Sequence, residues 1–283
     1  DIKYDDKNNI SKENYLLNIS VVGRPNMGKS TLVNSLLGKE IVLTGPESGI
    51  TRDAVSITFC WKDLKINLID TAGIRRKSKI NEDLENLTIK NAMRAIQFSN
   101  LCILTVDASQ NLSKQDLNLA RLISNEGRAL IIAANMWDKV IEKEKTKEFL
   151  NYKVSKSLSQ LDGIPIVPIS GLKKTGLDSL MQKVNEILKL WNKRISTNKL
   201  NDWLLPVLEK HPPPVSNGRR IKIRYITQIK SRPPTFVLFC NLPSKLPRDY
   251  FRYLQKQIRE KFNFIGVPIR FLLKKGENPY IKS

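Results

Sequence analysis

One segment of this chain constrains its fold more than any other: Gly23-Arg24-Pro25-Asn26-Met27-Gly28-Lys29-Ser30, which lies between an apolar run and a helical pattern. Gly-x-x-x-x-Gly-Lys-Ser in that setting predicts a phosphate-binding loop, because the glycines let the backbone wrap a phosphate and the amides that open the helix point at it. We expect Lys29 to offer a cation to the β- and γ-phosphates, Ser30 to offer its hydroxyl to Mg²⁺, and Thr31 to belong to the same nucleotide site. A chance match to a glycine-containing turn is the alternative, which the flanking strand and helix disfavour.

Short apolar runs alternate with longer helical patterns between residues 16 and 193. This alternation predicts an α/β fold with a mainly parallel sheet and flanking helices. Residues 1–15, which begin with an acidic and polar stretch, are interpreted as a linker left from a longer protein. Predicted strands cover residues 18–23, 55–60, 65–69, 101–106, 129–134 and 165–169, and predicted helices include 29–37 and 84–98.

Three segments that follow predicted strands bear on which nucleotide is bound. Asp70-Thr71-Ala72-Gly73 would bring a carboxylate near Mg²⁺, through a water, and a glycine amide near the γ-phosphate. Asn135-Met136-Trp137-Asp138 would bring a carboxylate to the base. That carboxylate can accept from both N1–H and the exocyclic amine of guanine, and adenine presents no such pair of donors. Ser170-Gly171-Leu172 is expected to close the base pocket with backbone amides.

These motifs, in this order and spacing, resemble those of the translation-factor-like GTPases. The resemblance becomes closer with three further sets of residues. They are Ser48-Gly49-Ile50-Thr51-Arg52-Asp53, then Asp70-Thr71-Ala72-Gly73-Ile74-Arg75-Arg76-Lys77, then Arg224-Tyr225, Gln228, Pro233-Pro234-Thr235-Phe236-Val237 and Asn241. With these residues the chain resembles the bacterial Der (EngA) GTPases. The resemblance implies a P-loop GTPase domain over residues 16–195 and a smaller α+β KH-like domain over residues 196–283, with the first of the family's two GTPase domains absent.

The resemblance also implies GTP hydrolysis to GDP with Mg²⁺ as cofactor. Thr51 would contact Mg²⁺ and the γ-phosphate, and the Gly73 amide would assist Lys29 in catalysis. Ile74 stands where many GTPases have a water-orienting Gln, so we expect slow intrinsic turnover. The resemblance further implies a K⁺ ion beside the phosphates, held partly by Asn26, and the alternative for Asn26 is local capping of the turn by its side chain.

Two residues depart from the pattern of the family. Met136 stands where the guanine motif usually has Lys, whose stem covers the base, and a thioether can pack against an aromatic ring in its place. Guanine selectivity is therefore expected to depend on Asp138. Gly171 stands where Ala is usual, and we expect little effect because the backbone amide is the functional group. Trp137 is interpreted as a packing residue.

The positive charge of the chain is concentrated near its C-terminus. Lys and Arg number 48 against 27 Asp and Glu, a net charge of +21, and the segment from Ser196 onward has 18 against 5, or +13. Such an excess favours a polyanionic partner. In a predicted helix over residues 248–262, Arg252, Lys256 and Arg259 share a face that is expected to contact RNA phosphates, with a solvated face as the alternative. The resemblance makes that RNA the ribosomal RNA of the large ribosomal subunit.

The C-terminal segment has an α-β-β-α-β order of predicted elements, which fits a KH-like fold. KH domains that clamp single-stranded RNA use a Gly-x-x-Gly loop, which this segment lacks, so we expect docking dominated by phosphates of structured RNA. The predicted elements are a helix at 199–210, strands at 219–229 and 235–240, a helix at 248–262 and a strand at 268–273.

Composition excludes several other classes of function. Cys60, Cys102 and Cys240 lie far apart among apolar neighbours, which predicts buried thiols in a reducing, cytoplasmic setting. His211 is the single histidine, which excludes a Ser-His-Asp triad and a multi-histidine metal site. No apolar run is long enough to span a membrane, and neither a membrane nor DNA is expected as a partner. A P-loop ATPase or kinase, and an RNA-binding module with a structural nucleotide, remain as alternatives.

Overall fold

The computed structural model describes residues 16–38, 56–69, 92–158, 163–216 and 218–276. Its N-terminal unit contains a six-stranded sheet of order β2-β3-β1-β4-β5-β6, in which β2 alone is antiparallel to its neighbour. The predicted α/β fold with a mainly parallel sheet is confirmed. The elements are β1 (Leu16–Val22), α1 (Lys29–Leu37), β2 (Ile57–Trp61), β3 (Leu64–Ile69), α2 (92–98), β4 (Leu101–Asp107), α3 (Lys114–Asn125), β5 (Ala129–Asn135), α4 (Lys143–Ser157), β6 (Ile166–Pro168) and α5 (Leu177–Trp191).

Helices cover both faces of this sheet. Because side chains alternate along a strand, Leu101 and Ile103 of β4 pack into a cluster with α1 and α5, whereas Cys102 and Leu104 pack on the opposite face with α3 and α4. Both faces are thus buried, which explains why the central strands read as continuous apolar runs. Of the predicted helix at 84–98, residues 84–91 lie outside the described part of the chain.

The C-terminal unit is a three-stranded sheet of order β11-β10-β9 with two helices against it. The α-β-β-α-β order is confirmed, with one addition, a hairpin of two two-residue strands that precedes β9. The final strand begins two residues later than predicted because Pro268 has no N–H to donate, and pairing with β10 starts at Arg270. The elements are α6 (Thr197–Lys210), β7 (Val215–Ser216), β8 (Arg219–Arg220), β9 (Ile223–Ser231), β10 (Pro234–Cys240), α7 (Arg248–Phe262) and β11 (Arg270–Lys275).

The C-terminal unit packs against the edge of the large sheet where β5 and β6 begin. Val267, in the loop between α7 and β11, is fully buried in the same cluster as α1 and α5. Gly266 lies so close to Pro165 that an added Cβ would be 2.7 Å from the Pro165 Cδ. The Lys193 ammonium, just after α5, donates to the Phe262 carbonyl at 2.7 Å. Among the described residues, these contacts lie at the opposite edge of the sheet from the carboxyl ends of the parallel strands.

Two of the three cysteines are buried, as the sequence predicts, and Cys60 is less buried than predicted. Cys102 and Cys240 are buried and Cys60 is half-buried, and all three are free thiols. Among the residues that the structure describes, no helix has both the length and the apolar character that a membrane span requires.

Arg259 is buried, and the prediction that placed it on an exposed basic face with Arg252 and Lys256 is wrong. Its side chain is 8% exposed, and its guanidinium donates to the carbonyl oxygens of Phe264 and Val267. The chain turns back over the last turn of α7 at Asn263, which has a φ of +54°. The helical spacing placed Arg259 on the same side as Arg252, but it could not show that this loop covers the end of the helix.

Replacing Arg259 by Leu is expected to lower the free energy of unfolding by about 2–4 kcal/mol, because two carbonyl groups in a buried loop lose their donor. The matched control is Arg252→Leu, since the Arg252 side chain is 62% exposed and pairs with Asp249 on the same helix. We expect less than about 1 kcal/mol for the control. Urea unfolding followed by tryptophan fluorescence measures both, and equal losses would contradict the structural role of Arg259.

Candidate nucleotide-binding site

The phosphate-binding loop joins β1 to α1 at the carboxyl edge of the sheet. Gly23 has a φ of +149°, and a Cβ built there would be 2.4 Å from the carbonyl oxygen of Thr105 on the neighbouring strand β4. Any side chain at this position would therefore push the loop off the sheet. The close approach lets the loop turn back over the strand ends, where a phosphate can be enclosed.

The second glycine of the motif begins α1. Gly28 occupies the N-cap position with a φ of +81°, and its carbonyl accepts the first helical hydrogen bond from Leu32 at 2.9 Å. No described side chain caps this end of the helix. Its first-turn amides and the positive end of the helix dipole are thus available to an anion.

Lys29 is folded against the loop that precedes it. Its ammonium donates to the Arg24 carbonyl at 2.6 Å, and burial lowers the pKa of Lys29. A partly desolvated cation held across the loop is well placed to attract phosphate oxygens. Ser30 follows in the first turn of α1, and its hydroxyl is the hard oxygen donor that Mg²⁺ prefers.

Arg24 makes a contact that the sequence analysis missed. Its Nε atom lies 2.8 Å from Oδ1 of Asp116, which is 1% exposed at the start of α3. The other carboxylate oxygen, Oδ2, accepts from the Ser113 backbone amide at 3.0 Å and from the Ser113 hydroxyl at 2.8 Å. The Ser-x-x-Asp spacing of a capping box was a signal for the helix start, although not for the link to Arg24.

Asn135, the first residue of the predicted base motif, connects the phosphate loop to the base loop. Its Nδ2 donates to the Met27 carbonyl at 3.0 Å, and its Oδ1 accepts from the Gly171 amide at 3.0 Å. Asn135 is 3% exposed, so both bonds are shielded from water. The Ser35 hydroxyl also donates to the Gly171 carbonyl, at 2.6 Å. Three segments that were predicted separately are thus joined by one buried side chain.

Asp138 is exposed at the end of the base motif and has a lowered pKa. The hydroxyl of Ser170 is the largest cause, because it hydrogen-bonds the carboxylate, and the charges of Lys173 and Lys139 also lower the pKa of Asp138. Ser170 itself is 1% exposed and is held by an amide donor from Lys173 at 3.1 Å. The lowered pKa favours the ionised form of Asp138, and an exposed carboxylate can accept from a base.

Removing the Ser170 hydroxyl is expected to make guanine nucleotide binding more sensitive to acid. In the predicted role of Asp138, binding of guanine needs the ionised carboxylate, and a lowered pKa of Asp138 preserves that form as the pH falls, until the pH passes through the lowered value. Ser170→Ala raises the pKa of Asp138, so the acid midpoint for GDP binding should move to higher pH, with affinity at about pH 7.5 little changed. GDP binding measured at a series of pH values gives the acid midpoint of each protein. Protonation of the nucleotide itself affects both proteins equally. Ser155→Ala, an exposed hydroxyl on α4, is the control, and equal midpoints would contradict the assignment.

The remaining residues of the base motifs are placed as follows. Trp137 packs against the cluster that covers α3 and α4, which agrees with a packing role. Met136 has a φ of +59°, and its sulfur lies 3.8 Å from the Lys139 ammonium. A Cβ at Gly171 would be 3.2 Å from the Leu32 amide nitrogen, so an alanine there needs a shift of a few tenths of an ångström. Leu172 is 77% exposed.

Several predicted site residues lie outside the described residues. They are Thr51, Asp70, Thr71, Ala72, Gly73 and Ile74. Pro25, Asn26 and Thr31 are described and exposed, and Asn26 has a φ of +63°. An accessible carboxamide oxygen in this loop fits the donor chemistry that a K⁺ ion requires. Within the described ranges, no group of three or more His, Cys, Asp or Glu side chains could hold a metal ion.

A second candidate surface lies on the C-terminal unit. Arg219, Arg220, Lys222 and Arg224, which we call the basic edge, are all exposed along β8 and the start of β9. Asn241 holds this backbone in place, since its Nδ2 donates to the Arg220 carbonyl at 3.0 Å and its Oδ1 accepts from the Lys222 amide at 2.8 Å. Arg252 and Lys256 on α7 each pair with an acidic residue of the same helix.

Comparison with known proteins gives matches in both units. Residues 18–136 match a family described as 50S ribosome-binding GTPase, and residues 194–274 match the KH-domain-like segment of EngA bacterial GTPase enzymes, C-terminal. GTPase Der of Brucella anthropi is 47% identical over 264 residues, which cover 93% of this chain and 55% of that protein. GTPase Der of Bartonella bacilliformis is 46% identical over 274 residues, which cover 97% and 58%. Among solved structures, a single-residue variant of Aquifex aeolicus Era bound to GDP·AlF₄⁻ covers 94% of each chain, with 21% identity and a TM-score of 0.48.

The chain spans somewhat more than half the length of these curated relatives, 55% of one and 58% of the other. Its GTPase segment includes the phosphate loop and the start of the base motif, and its C-terminal segment includes the basic edge. The chain is therefore a homologue of the Der (EngA) GTPases and carries a GTPase domain followed by their KH-like C-terminal domain.

Proposed function

We propose that this chain binds guanine nucleotides, hydrolyses GTP, and acts in assembly of the large ribosomal subunit in the cytoplasm through a nucleotide-dependent switch. The observation that carries the proposal is the meeting of the phosphate loop, Asn135 and Asp138 at one edge of the sheet, in a chain that also has a basic KH-like domain. We assign residues 1–15 to a linker, residues 16–195 to the GTPase domain and residues 196–283 to the KH-like domain.

In this proposal the chain binds and orients its substrate more than it reacts with it. Lys29 and the amides at the start of α1 hold the phosphates, and the Asp138 carboxylate selects guanine. Ser30, with Thr51 and Asp70, would hold Mg²⁺, which neutralises charge that develops on the phosphates. Ile74 cannot orient the attacking water, so turnover is slow, and K⁺ near Asn26 stimulates it.

Phosphate release from GTP tests the enzymatic part of the proposal. We expect slow hydrolysis that is faster in K⁺ than in Na⁺ at equal ionic strength, and no hydrolysis by Lys29→Ala. Asn26→Ala should retain GDP binding and lose the difference between the two cations. Absence of hydrolysis in both salts, with GTP bound, would instead support a structural nucleotide.

Sedimentation with purified large ribosomal subunits tests the cellular part of the proposal. We expect co-migration that differs between GDP, GTP and a non-hydrolysable GTP analogue, because the switch alters how the KH-like domain meets ribosomal RNA. Co-migration that is independent of nucleotide would remove the switch from the proposal, and its absence in all states would remove the ribosomal partner.

The basic edge is our candidate for the surface that contacts RNA phosphates, in place of the face that included Arg259. Its side chains are exposed and its backbone is hydrogen-bonded to Asn241, so little backbone entropy is lost on binding. Replacing Arg220 and Lys222 by Ala is expected to weaken binding to ribosomal RNA about tenfold and to reduce its salt dependence by about two counterions. The matched control replaces Arg252 and Lys256 by Ala, and a larger loss in that control would assign the contact to α7.

A further inference from the structure

Arg24 is held at two points, although it lies in a loop that must fit a nucleotide closely. Its carbonyl accepts from the Lys29 ammonium at 2.6 Å, and its Nε donates to Asp116 at 2.8 Å. A terminal nitrogen of the same guanidinium lies 3.8 Å from the Met27 sulfur, across the loop. The residue that receives the phosphate-binding lysine is thus anchored to the start of α3.

Asp116 has bonds on both carboxylate oxygens, and they point to different partners. Oδ1 accepts from Arg24, whereas Oδ2 accepts from the Ser113 amide and hydroxyl. The carboxylate is 1% exposed, while the Arg24 side chain is 23% exposed. A buried charge that loses its partner is costly, so the ion pair restrains where Arg24 can lie. If Asp116 only capped α3, its hydrogen bonds with Ser113 would be sufficient, and the ion pair with Arg24 would not be needed.

We propose that Asp116 is a positioning residue for nucleotide binding, which acts through Arg24 to hold the phosphate loop in the shape that receives the phosphates. The inference rests on the proposed binding of guanine nucleotides. It extends the site by an element, α3, that the nucleotide motifs do not include. Loss of the ion pair leaves the binding groups present and lets the loop relax, so the bound nucleotide escapes faster.

Dissociation of a fluorescent GDP analogue from the 283-residue chain, followed after mixing with excess GDP, measures this effect. We expect Asp116→Asn and Arg24→Ala each to raise the dissociation rate about tenfold, with association rates within about threefold of the original. The double variant should be no faster than the faster single variant, because both changes break the same link.

Ser113→Ala is the control that separates positioning from stability. It removes the hydroxyl that caps α3 and that donates to Asp116 Oδ2, and it leaves both members of the Arg24–Asp116 ion pair unchanged. We expect it to lower the unfolding temperature about as much as Asp116→Asn does, with a dissociation rate within about twofold of the original.

Three results would overturn the inference. The first is a dissociation rate in the double variant that combines the effects of both single variants. The others are a dissociation rate in Ser113→Ala as high as that in Asp116→Asn, and unchanged dissociation rates in Asp116→Asn and Arg24→Ala. If the unaltered chain failed to bind the GDP analogue, the proposed function itself would fail. Asp116→Asn removes the negative charge that pairs with Arg24, and unfolding of each variant without nucleotide confirms that the protein compared is folded.

Discussion

Asp138→Asn is expected to lower the affinity for GDP and GTP by about a hundredfold or more and to shift the preference of the site to xanthine nucleotides. The Asp138 carboxylate can accept from two donors of guanine, N1–H and the exocyclic amine. The side-chain amide of an asparagine would face the exocyclic amine of guanine, so that two donors meet. Xanthine has a carbonyl oxygen in place of that amine, and this oxygen can accept from the asparagine amide. The change thus inverts one hydrogen bond and leaves the phosphate site as it was.

Competition titrations with GDP and xanthosine diphosphate measure the exchange of preference. Glu142→Gln is the control, because Glu142 is a nearby exposed carboxylate that pairs with Lys145 at 2.7 Å and has no predicted contact with the base. It should leave both affinities within about twofold. If Asp138→Asn bound GDP as well as the original chain, guanine recognition could not depend on this carboxylate, and the GTPase assignment would lose its main support from chemistry.

The sequence predicted the parts of the site that lie in short contiguous motifs. Gly23, Gly28 and Lys29 could be assigned because the spacing of one loop specifies both its backbone and its ligand. The contacts that join motifs were not predictable in this way. Arg24 and Asp116 are 92 residues apart, and the pair forms only when β1 and β4 lie side by side. Asn135 was predicted as part of a base motif, but its bonds to Met27 and Gly171 depend on the same arrangement of strands.

In the C-terminal domain, the sequence likewise did not predict which side chains lie on the exposed surface when that depends on contacts between segments. Periodicity gave the helix at 248–262 and its buried stripe, since the angle around a helix axis follows from residue number. Periodicity gives no information on the loop that returns over the last turn of α7, so it predicts Arg259 on an exposed, RNA-contacting face although Arg259 is buried. The sequence predicts one continuous strand that includes the basic edge. In the structure this strand is interrupted at Ile221 and Lys222, between β8 and β9.

Gly28→Ala is expected to reduce nucleotide affinity by about a hundredfold or more, through an effect that reaches both halves of the site. The φ of +81° costs an alanine about 1–2 kcal/mol, and the new Cβ would be 2.2 Å from Nδ2 of Asn135. Asn135 is buried and holds both Met27 and Gly171, so it cannot move without breaking a bond to the phosphate loop or to the base loop. We therefore expect weaker contacts to both the phosphates and the base, together with a lower unfolding temperature.

Gly218→Ala separates backbone strain from the collision with Asn135. Gly218 has a φ of +71°, close to that of Gly28, but a Cβ there would meet nothing within 4 Å. The control should lose stability through strain alone and bind GDP with an unchanged affinity. Isothermal titration with GDP and thermal unfolding without nucleotide distinguish the two variants. A similar loss of stability in both, with GDP affinity retained in Gly28→Ala, would mean that Asn135 does not couple the phosphate loop to the base loop.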